Sequence, residues 1–247
     1  MKKRIELQRE VSFVDFHSHV LPAIDDGSPD VDTSIEMLHM LAAQGVKKVV
    51  ATPHFDATII SPSEFIKMRN ESEGFLRSTI EKRGMSADLP EIFVGAEVLY
   101  FAGISRSETI RELCIGNTDL LLLEMPFFAW NSSVVNEALD MRGNLGIVPV
   151  IAHLDRYFPF QKKEVLEKIF YSDVLVQMNT EAFIEAKTSR KVLKMLSEGK
   201  IDFIGSDCHN LSLRAPNFDK AVDVILKKNQ FDDLCEICEF GNEILMD

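Results

Sequence analysis

Hydrophobic and polar residues alternate along the chain in blocks that predict a regular succession of strands and helices. Seven short apolar runs are typical of buried strands, and they cover residues 11–19, 46–52, 92–98, 119–125, 147–152, 174–179 and 201–206. Amphipathic segments between and after these runs predict helices at 28–44, 61–84, 131–142, 162–171, 189–198, 215–230 and 232–246. Residues 99–117 are less regular and predict a loop with a short helix.

Capping residues define several of the predicted helix ends. Ser28 and Pro29 predict the N-cap and the first residue of the first helix. Ser61, with Glu64 three residues later, predicts a capping box. Strands that alternate with helices predict a parallel sheet covered on both faces. Seven such units predict an α/β fold of the TIM-like barrel type, with residues 1–247 forming a single domain.

Composition and charge narrow the function classes. The 247 residues are 46% hydrophobic, which suffices for the core of one large domain. A charged start without a signal-peptide pattern, and the lack of a run near the roughly 18 apolar residues of a membrane helix, predict a soluble cytoplasmic protein with no membrane insertion. Four cysteines without a disulfide pattern agree with a reducing compartment. The net charge of -12 argues against nucleic acid as the main partner.

Side chains that bind metals follow or end the predicted strands. Because side chains alternate along a strand, His17 and His19 project to the same face. Imidazole and carboxylate groups suit divalent metals, and barrel enzymes carry their sites at the carboxyl ends of the strands. The candidate ligands are His17, His19, Asp26, His54, Glu97, Glu124, His153, Asp207 and His209.

The size of this set predicts more than one ion. A single metal takes about four to six ligands, so nine candidates indicate about two or three divalent metals, with Glu97 or Asp207 placed to bridge. Nitrogen and oxygen ligands without thiolate favour manganese, iron or zinc. Two or three such ions would offset the four carboxylates, and the site would then accept an anion despite the acidic chain.

Seven short motifs together resemble the polymerase-and-histidinol-phosphatase (PHP) superfamily. They are His17-x-His19, Asp25-Asp26-Gly27, Ala51-Thr52-Pro53-His54, Gly95-Ala96-Glu97, Leu123-Glu124, Ala152-His153-Leu154-Asp155-Arg156-Tyr157 and Ser206-Asp207-Cys208-His209-Asn210. Within the superfamily, their spacing is similar to that of the metal-dependent tyrosine phosphatases of bacterial capsule and exopolysaccharide synthesis. The resemblance implies a distorted seven-stranded (β/α)7 barrel. It also favours Asp26 over Asp25 as a ligand, which places Asp25 in the outer shell.

The resemblance implies hydrolysis of phosphotyrosine on a bacterial tyrosine kinase that controls polysaccharide export. It assigns the substrate phosphate to Arg156 and Arg214. Water activated by the metals is the expected nucleophile, and Asp207 or a nearby histidine is a candidate proton donor for the leaving tyrosinate. Aromatic residues near two strand ends, Phe128 and Trp130 among them, predict contacts with the substrate ring.

Other interpretations remain open at this point. A histidinol-phosphate phosphatase and a non-catalytic binding module are both compatible with the same fold. Cys208 and Arg214 have the Cys-x5-Arg spacing of cysteine-dependent phosphatases, but the segment between them has no glycine to wrap around a phosphate. His39 and the Cys235-x-x-Cys238 pair are interpreted as packing residues. No feature of the sequence defines the oligomeric state or the kinase.

Overall fold

The computed structural model describes residues 11–246, and within them the chain forms nine parallel-paired β-strands. The predicted α/β class with a parallel sheet is confirmed. The strands are β1 (Phe13–Ser18), β2 (Val46–Ala51), β3 (His54–Phe55), β4 (Glu91–Val94), β5 (Glu97–Leu99), β6 (Leu120–Glu124), β7 (Val148–Ile151), β8 (Leu175–Asn179) and β9 (Phe203–Gly205).

Helices connect most of these strands, as the amphipathic segments predict. The α-helices are α1 (Val31–Ala43), α2 (Pro62–Lys82), α3 (Ser132–Leu145), α4 (Lys163–Phe170), α5 (Thr180–Ile184), α6 (Ser189–Ser197), α7 (Phe218–Lys227) and α8 (Phe231–Ile244). Short 3-10 helices cover Ile104–Arg106, Glu108–Leu113 and Leu154–Tyr157. The sequence patterns did not predict α5. Within residues 11–246, every helix is too short or too polar to cross a bilayer.

Two of the seven predicted strands are interrupted, so nine strands are observed among residues 11–246 where the sequence predicted seven. The predicted strand 46–52 continues as β3 after a break at Pro53, a residue that has no N–H for a sheet ladder. The predicted strand 92–98 divides into β4 and β5 around Gly95. The strands consequently lie in two sheets, with the orders β1-β2-β4 and β3-β5-β6-β7-β8-β9.

The two parallel sheets curl so that the first and last strands of the chain meet. Ser18 forms an isolated parallel bridge with Cys208, and the N–H of His19 donates to the Cys208 carbonyl at 2.9 Å. Gly205 permits this approach, because a Cβ at that position would lie 2.5 Å from the Cβ of His17. The ends of β1 and β9 are therefore neighbours although the sequence separates them widely.

The first helix begins at a different residue from the one that its sequence predicts. Its N-cap is Asp30, whose side chain accepts from the N–H of Thr33 at 2.8 Å. Ser28 instead donates its hydroxyl to the Asp30 carbonyl and its N–H to the carbonyl of His19. The tertiary bond to His19 removes Ser28 from the capping position. In the second helix, the predicted capping box of Ser61 and Glu64 is confirmed.

Apolar side chains pack on both faces of the curled sheet. The larger cluster joins the strands to the surrounding helices. A smaller cluster includes Val14 and Phe16 of β1, Leu122 of β6 and Phe203 of β9. Because these strands are not all hydrogen-bonded neighbours, this cluster fills the concave side, where the Phe16 and Phe203 rings stack at 3.7 Å. Each fully buried side chain of this kind contributes about 1.5–3 kcal/mol to folding.

Candidate metal centre

The nine predicted ligands converge at the carboxyl end of the curled sheet. The breaks in the strands contribute to this arrangement, since His54 and Glu97 begin the continuing segments β3 and β5 and pair with each other in register. The three groups whose ligand atoms lie within 4.8 Å of one another are His19–Asp26–His54–His209, His17–His19–Asp207 and His54–Glu97–Glu124. His153 joins them through Glu97, which its Nε2 approaches to 2.8 Å.

Glu97 lies at the middle of the cluster and is buried. Its Oε2 is 3.2 Å from His17 Nε2, 3.3 Å from His19 Nε2 and 3.0 Å from His54 Nδ1. Its Oε1 faces His153 Nε2, which is also 3.5 Å from Glu124 Oε1. Both oxygens of one carboxylate therefore face imidazole nitrogens, as a ligand that bridges two ions requires.

Asp26 lies at the exposed edge of the cluster, with about two thirds of its side chain accessible. Its Oδ1 is 3.3 Å from His54 Nε2 and 3.5 Å from His209 Nε2. This group is open to solvent, whereas His17 and His19 are buried. The cluster thus has a closed part and an accessible part.

The arrangement of the side chains fits divalent cations. The Nε2 atoms of His17 and His19 face each other at 3.2 Å, an approach that a shared cation between lone pairs explains directly. His209 Nε2 is buried and has no hydrogen-bond partner among the described residues. The donors are nitrogen and oxygen atoms, which suit manganese, iron or zinc.

Two of the candidate ligands adopt strained backbone conformations. His153 has a φ of 34° and Asp207 has a φ of 52°, in the left-handed region that non-glycine residues rarely occupy. Such conformations cost on the order of 1–3 kcal/mol each and persist where the surrounding structure enforces them. These backbone conformations direct both side chains into the cluster, and strained residues of this kind are typical of functional sites.

Asp25 orients the cluster from behind, as the outer-shell prediction implies. Its Oδ2 accepts from His19 Nδ1 at 2.7 Å and from the N–H of His54 at 3.0 Å. Burial acts to raise the pKa of Asp25, but the bond to His19 and its positive charge lower it to about 2. A carboxylate behind a histidine fixes the ring and leaves Nε2 free for a metal.

Buried residues that the sequence reasoning missed support the same side chains. Gln177 Oε1 accepts from the N–H of His153 and lies 3.2 Å from His17 Nδ1, while its Nε2 donates to Asn179. Asp15 accepts from the N–H and hydroxyl of Ser206, and burial raises its pKa to about 6. Polar residues inside the apolar runs 11–19 and 174–179 were the available signal.

Arg156 and Arg214 both extend to Asp207. Arg156 Nη2 donates to Oδ2 of Asp207, and Arg214 Nη2 donates to Oδ1 at 2.8 Å. About one third of each arginine side chain is exposed, whereas the carboxylate is buried. Asn179 adds a further donor to Oδ2 at 2.9 Å. The two guanidinium groups therefore lie on the open side of the cluster.

Asp207 lies among positive charges and N–H donors that favour its ionised form. Burial acts to raise its pKa, but attraction to His17, the bond to His19 and the charge of Arg156 hold the pKa well below the usual value. Both of its oxygens accept from N–H donors. This geometry favours a role for Asp207 as a ligand and arginine partner over the predicted alternative in which it donates a proton.

The predicted aromatic contacts divide into buried and exposed residues. Trp130 is 5% exposed, its ring packs 5.0 Å from that of Tyr157, and its indole N–H donates to the Pro126 carbonyl. Little of the Trp130 side chain is therefore exposed for the predicted contact with a substrate. Phe128 is 52% exposed, and Phe127, which lies closer to the cluster, stacks 6.0 Å from the ring of His153.

The cysteines and the histidine outside the ligand set, Cys208, His39 and Cys238, have environments that disfavour a chemical role. Cys208 is fully buried, and burial raises the pKa of its thiol well above the usual value, which disfavours a thiolate nucleophile. His39 belongs to α1 and to none of the three groups. Cys238 packs into the core from α8.

A curled parallel sheet with a histidine–carboxylate cluster at its strand ends defines an α/β protein with a candidate polynuclear metal centre. The chain belongs to the capsular polysaccharide synthesis family CpsB/CapC, whose family model matches residues 13–245. The expected family relationship is therefore confirmed.

Characterised relatives share about a quarter of their residues with this chain. The tyrosine-protein phosphatase CpsB of Streptococcus agalactiae is 26% identical over 225 residues, covering 87% of this chain and 90% of that protein. The tyrosine-protein phosphatase YwqE of Bacillus subtilis is 26% identical over 242 residues, covering 94% and 86%. In each case, the alignment includes nearly the whole of both chains.

The fold also matches a solved structure. The matching structure is one of the crystal structures of YwqE from Bacillus subtilis and CpsB from Streptococcus pneumoniae, which are described as unique metal-dependent tyrosine phosphatases. The TM-score is 0.79 with 23% identity, and the match covers 94% of each chain. At this identity, the comparison establishes the shared fold.

Proposed function

We propose that the protein is a metal-dependent protein-tyrosine phosphatase that acts on a bacterial tyrosine kinase of capsular or exopolysaccharide synthesis. The observation that carries the proposal is the convergence of nine candidate ligands in one cluster with two arginines on its open side. Membership of the CpsB/CapC family supports the connection to capsular polysaccharide synthesis, and the tyrosine phosphatases among its relatives support the substrate class.

The candidate ligands would hold about two or three divalent ions, with manganese, iron and zinc as the candidates. Glu97 would bridge, since both of its oxygens face histidines. Asp26, His54 and His209 would complete the accessible part of the centre. Ions bound here would supply a nucleophile from water near neutral pH and positive charge toward the phosphate oxygens.

Arg156 and Arg214 bind and orient the substrate phosphate in this proposal. A guanidinium carries five N–H donors, and the bond from each arginine to Asp207 uses one nitrogen. The remaining donors are available to two phosphate oxygens in the paired geometry that arginine favours. Asp207 holds both side chains in position and neutralises part of their charge.

The leaving group needs little help from a protein acid. Tyrosinate has a conjugate acid with a pKa of about 10, so it departs more readily than an alkoxide. This agrees with Asp207 acting as a ligand and arginine partner. The phosphate-binding arginines would stabilise charge on the transferred group during the same step.

Two finer parts of the interpretation belong to this proposal. We propose that the two sheets form one distorted seven-stranded barrel, in which β2 with β3 and β4 with β5 each count as one interrupted strand. The bridge between Ser18 and Cys208 supports closure of the barrel. We also place the protein in the cytoplasm, which suits its four free cysteines.

The alternative substrate histidinol phosphate carries a cationic amine that needs a carboxylate partner. Asp155 is the carboxylate that the loops after β6 and β7 offer for this purpose. Its Oδ1 accepts from the N–H of Asn179 at 3.1 Å, so it supports the loop. This observation favours phosphotyrosine over the small-molecule substrate.

Metal analysis combined with parallel assays of a phosphotyrosyl peptide and histidinol phosphate tests the proposal. We expect at least two divalent ions per chain, a higher kcat/KM for the peptide and loss of activity after chelation. His39→Ala is a matched control, because His39 lies outside the cluster. Less than one ion per chain with activity that resists chelation, or a preference for histidinol phosphate, would contradict the proposal.

A further inference from the structure

Exposed apolar side chains are concentrated around the candidate site. Of the ten large apolar side chains that residues 11–246 expose, six lie on the loops after β3, β6, β7 and β9. These loops leave the carboxyl ends of the strands, where the candidate ligands lie. We name these six residues the apolar rim: Ile59, Phe127, Phe128, Phe160, Leu211 and Leu213. Single exposed apolar residues are ordinary, whereas a group beside a site indicates a binding surface.

The loop after β9 holds one part of the apolar rim in a defined position. Its ends are joined by a bond from the N–H of His209 to the carbonyl of Arg214 at 2.9 Å. Asn210 Oδ1 accepts from the N–H groups of Ser212 and Arg214. Leu213 is 96% exposed and directly precedes Arg214. An ordered loop thus presents a leucine to solvent beside the proposed phosphate-binding residue.

The loops after β6 and β7 hold the aromatic part of the apolar rim. The Gln161 side chain donates to the carbonyl of Phe128 at 2.7 Å and so connects the two loops. Phe127 is half-exposed, and its ring stacks on that of His153. The aromatic surface is therefore continuous with the metal cluster.

The sheet order separates the apolar rim into two parts on opposite sides of the site. The loops after β3 and β9 flank the end of β1, since β1 pairs with β2 and bridges to Cys208 beyond β9. The loops after β6 and β7 belong to a separate pair of neighbouring strands. A ligand that crosses the site from one part to the other contacts the metal cluster at its middle.

We propose that the apolar rim docks the polypeptide on both sides of the phosphotyrosine and selects apolar neighbours of that residue. The inference rests on the proposed function and names its preferred sequence context. An extended segment advances about 3.3 Å per residue, so a few residues on each side reach both parts of the apolar rim. The net charge of -12 disfavours acidic neighbours, and a small phosphate monoester would make no use of this surface.

Binding of two peptides of equal length tests the inference in the metal-loaded protein. Both carry a non-hydrolysable difluoromethylphosphonate analogue of phosphotyrosine, flanked by leucines in one peptide and by serines in the other. Fluorescence anisotropy should show about tenfold tighter binding of the leucine peptide. Leu213→Ser and Phe128→Ser should each reduce this preference to about threefold or less. Tyr171→Ser is the matched control, being 81% exposed at the end of α4, and should keep the preference.

The readouts separate this inference from the proposed function. The unchanged protein could bind the two peptides equally and still hydrolyse a phosphotyrosyl peptide. That result would overturn the proposed docking role of the apolar rim and leave the proposed function intact. Preferential binding of the leucine peptide without hydrolysis of any phosphotyrosyl peptide would support the docking role of the apolar rim and contradict the proposed phosphatase activity. Sedimentation velocity measures self-association and so tests whether a second copy of the chain, instead of a peptide, covers the apolar rim. Self-association that Leu213→Ser abolishes and Tyr171→Ser preserves would overturn the inference in favour of a dimer contact.

Discussion

Gln177 Oε1 accepts a hydrogen bond from the backbone N–H of His153 at 2.6 Å. The same oxygen lies 3.2 Å from Nδ1 of His17, so one amide side chain on β8 connects two candidate ligands. Both histidines direct their Nε2 atoms to Glu97. The ring of His17 and the backbone of His153 therefore share one support, a residue outside the set of candidate ligands.

Replacing Gln177 with Leu should weaken the centre while keeping a similar side-chain volume. The change leaves the buried N–H of His153 without its acceptor, and we expect the free energy of unfolding to fall by about 1–3 kcal/mol. Metal affinity should fall by about 10–100-fold, because the His17 ring loses its partner and the backbone that carries His153 loses its acceptor. Urea denaturation of the metal-free protein and competition with a chelator measure the two effects.

Gln230→Leu is the control for this experiment. Its amide donates to the carbonyl of Leu193 on α6, away from the cluster. Metal affinity should be unchanged in this variant. An affinity in Gln177→Leu equal to that of the control would show that Gln177 does not position the ligands.

Arg156→Ala and Arg214→Ala should each lower kcat/KM for a phosphotyrosyl peptide by roughly tenfold to a thousandfold. This corresponds to about 1.4–4 kcal/mol of lost transition-state stabilisation. The metal content, measured by elemental analysis, should stay the same. Arg142→Ala is a suitable control, because Arg142 pairs with Asp173 at the surface. Loss of metal from the Arg156 or Arg214 variants would instead show that these arginines maintain the structure of the metal centre.

The sequence predicted the elements and most candidate ligands because both signals are local. An apolar run that ends in a histidine or carboxylate identifies a strand end and its ligand together, as for His153. Glutamine is not a typical ligand, and the contribution of Gln177 depends on its neighbour across the sheet. The first N-cap could not be assigned locally, since Ser28 and Asp30 both suit that position and a tertiary bond decides between them.

Trp130→Ala should destabilise the fold rather than alter substrate preference. The ring is buried against Tyr157, so its removal should lower the free energy of unfolding by about 3–5 kcal/mol. Phe127→Ala removes a half-exposed ring beside His153 and should have a much smaller effect on stability. Denaturant titration of both variants provides the comparison. Equal losses of stability would contradict the assignment of Trp130 to the core.

Cys208→Ser should retain most of the phosphatase activity. The thiol is fully buried, and nothing in the proposed chemistry uses it as a nucleophile. Initial rates with a phosphotyrosyl peptide, measured beside the metal content, test this expectation. A variant that binds its metals normally and has lost activity would revive a cysteine mechanism.

The contact between the end of β1 and the segment after β9 has a consequence for the synthesis of the protein. The bond between Asp15 and Ser206 joins residues 191 positions apart, and His17 and His209 belong to the same two segments. A ribosome must release both segments and all the residues between them before these partners can meet. Ions bound between the two segments would close a very long loop, and the closure of long loops is expected to add most to the stability of a fold. A nascent or prematurely terminated chain that stops before the segment after β9 would therefore lack the completed candidate centre.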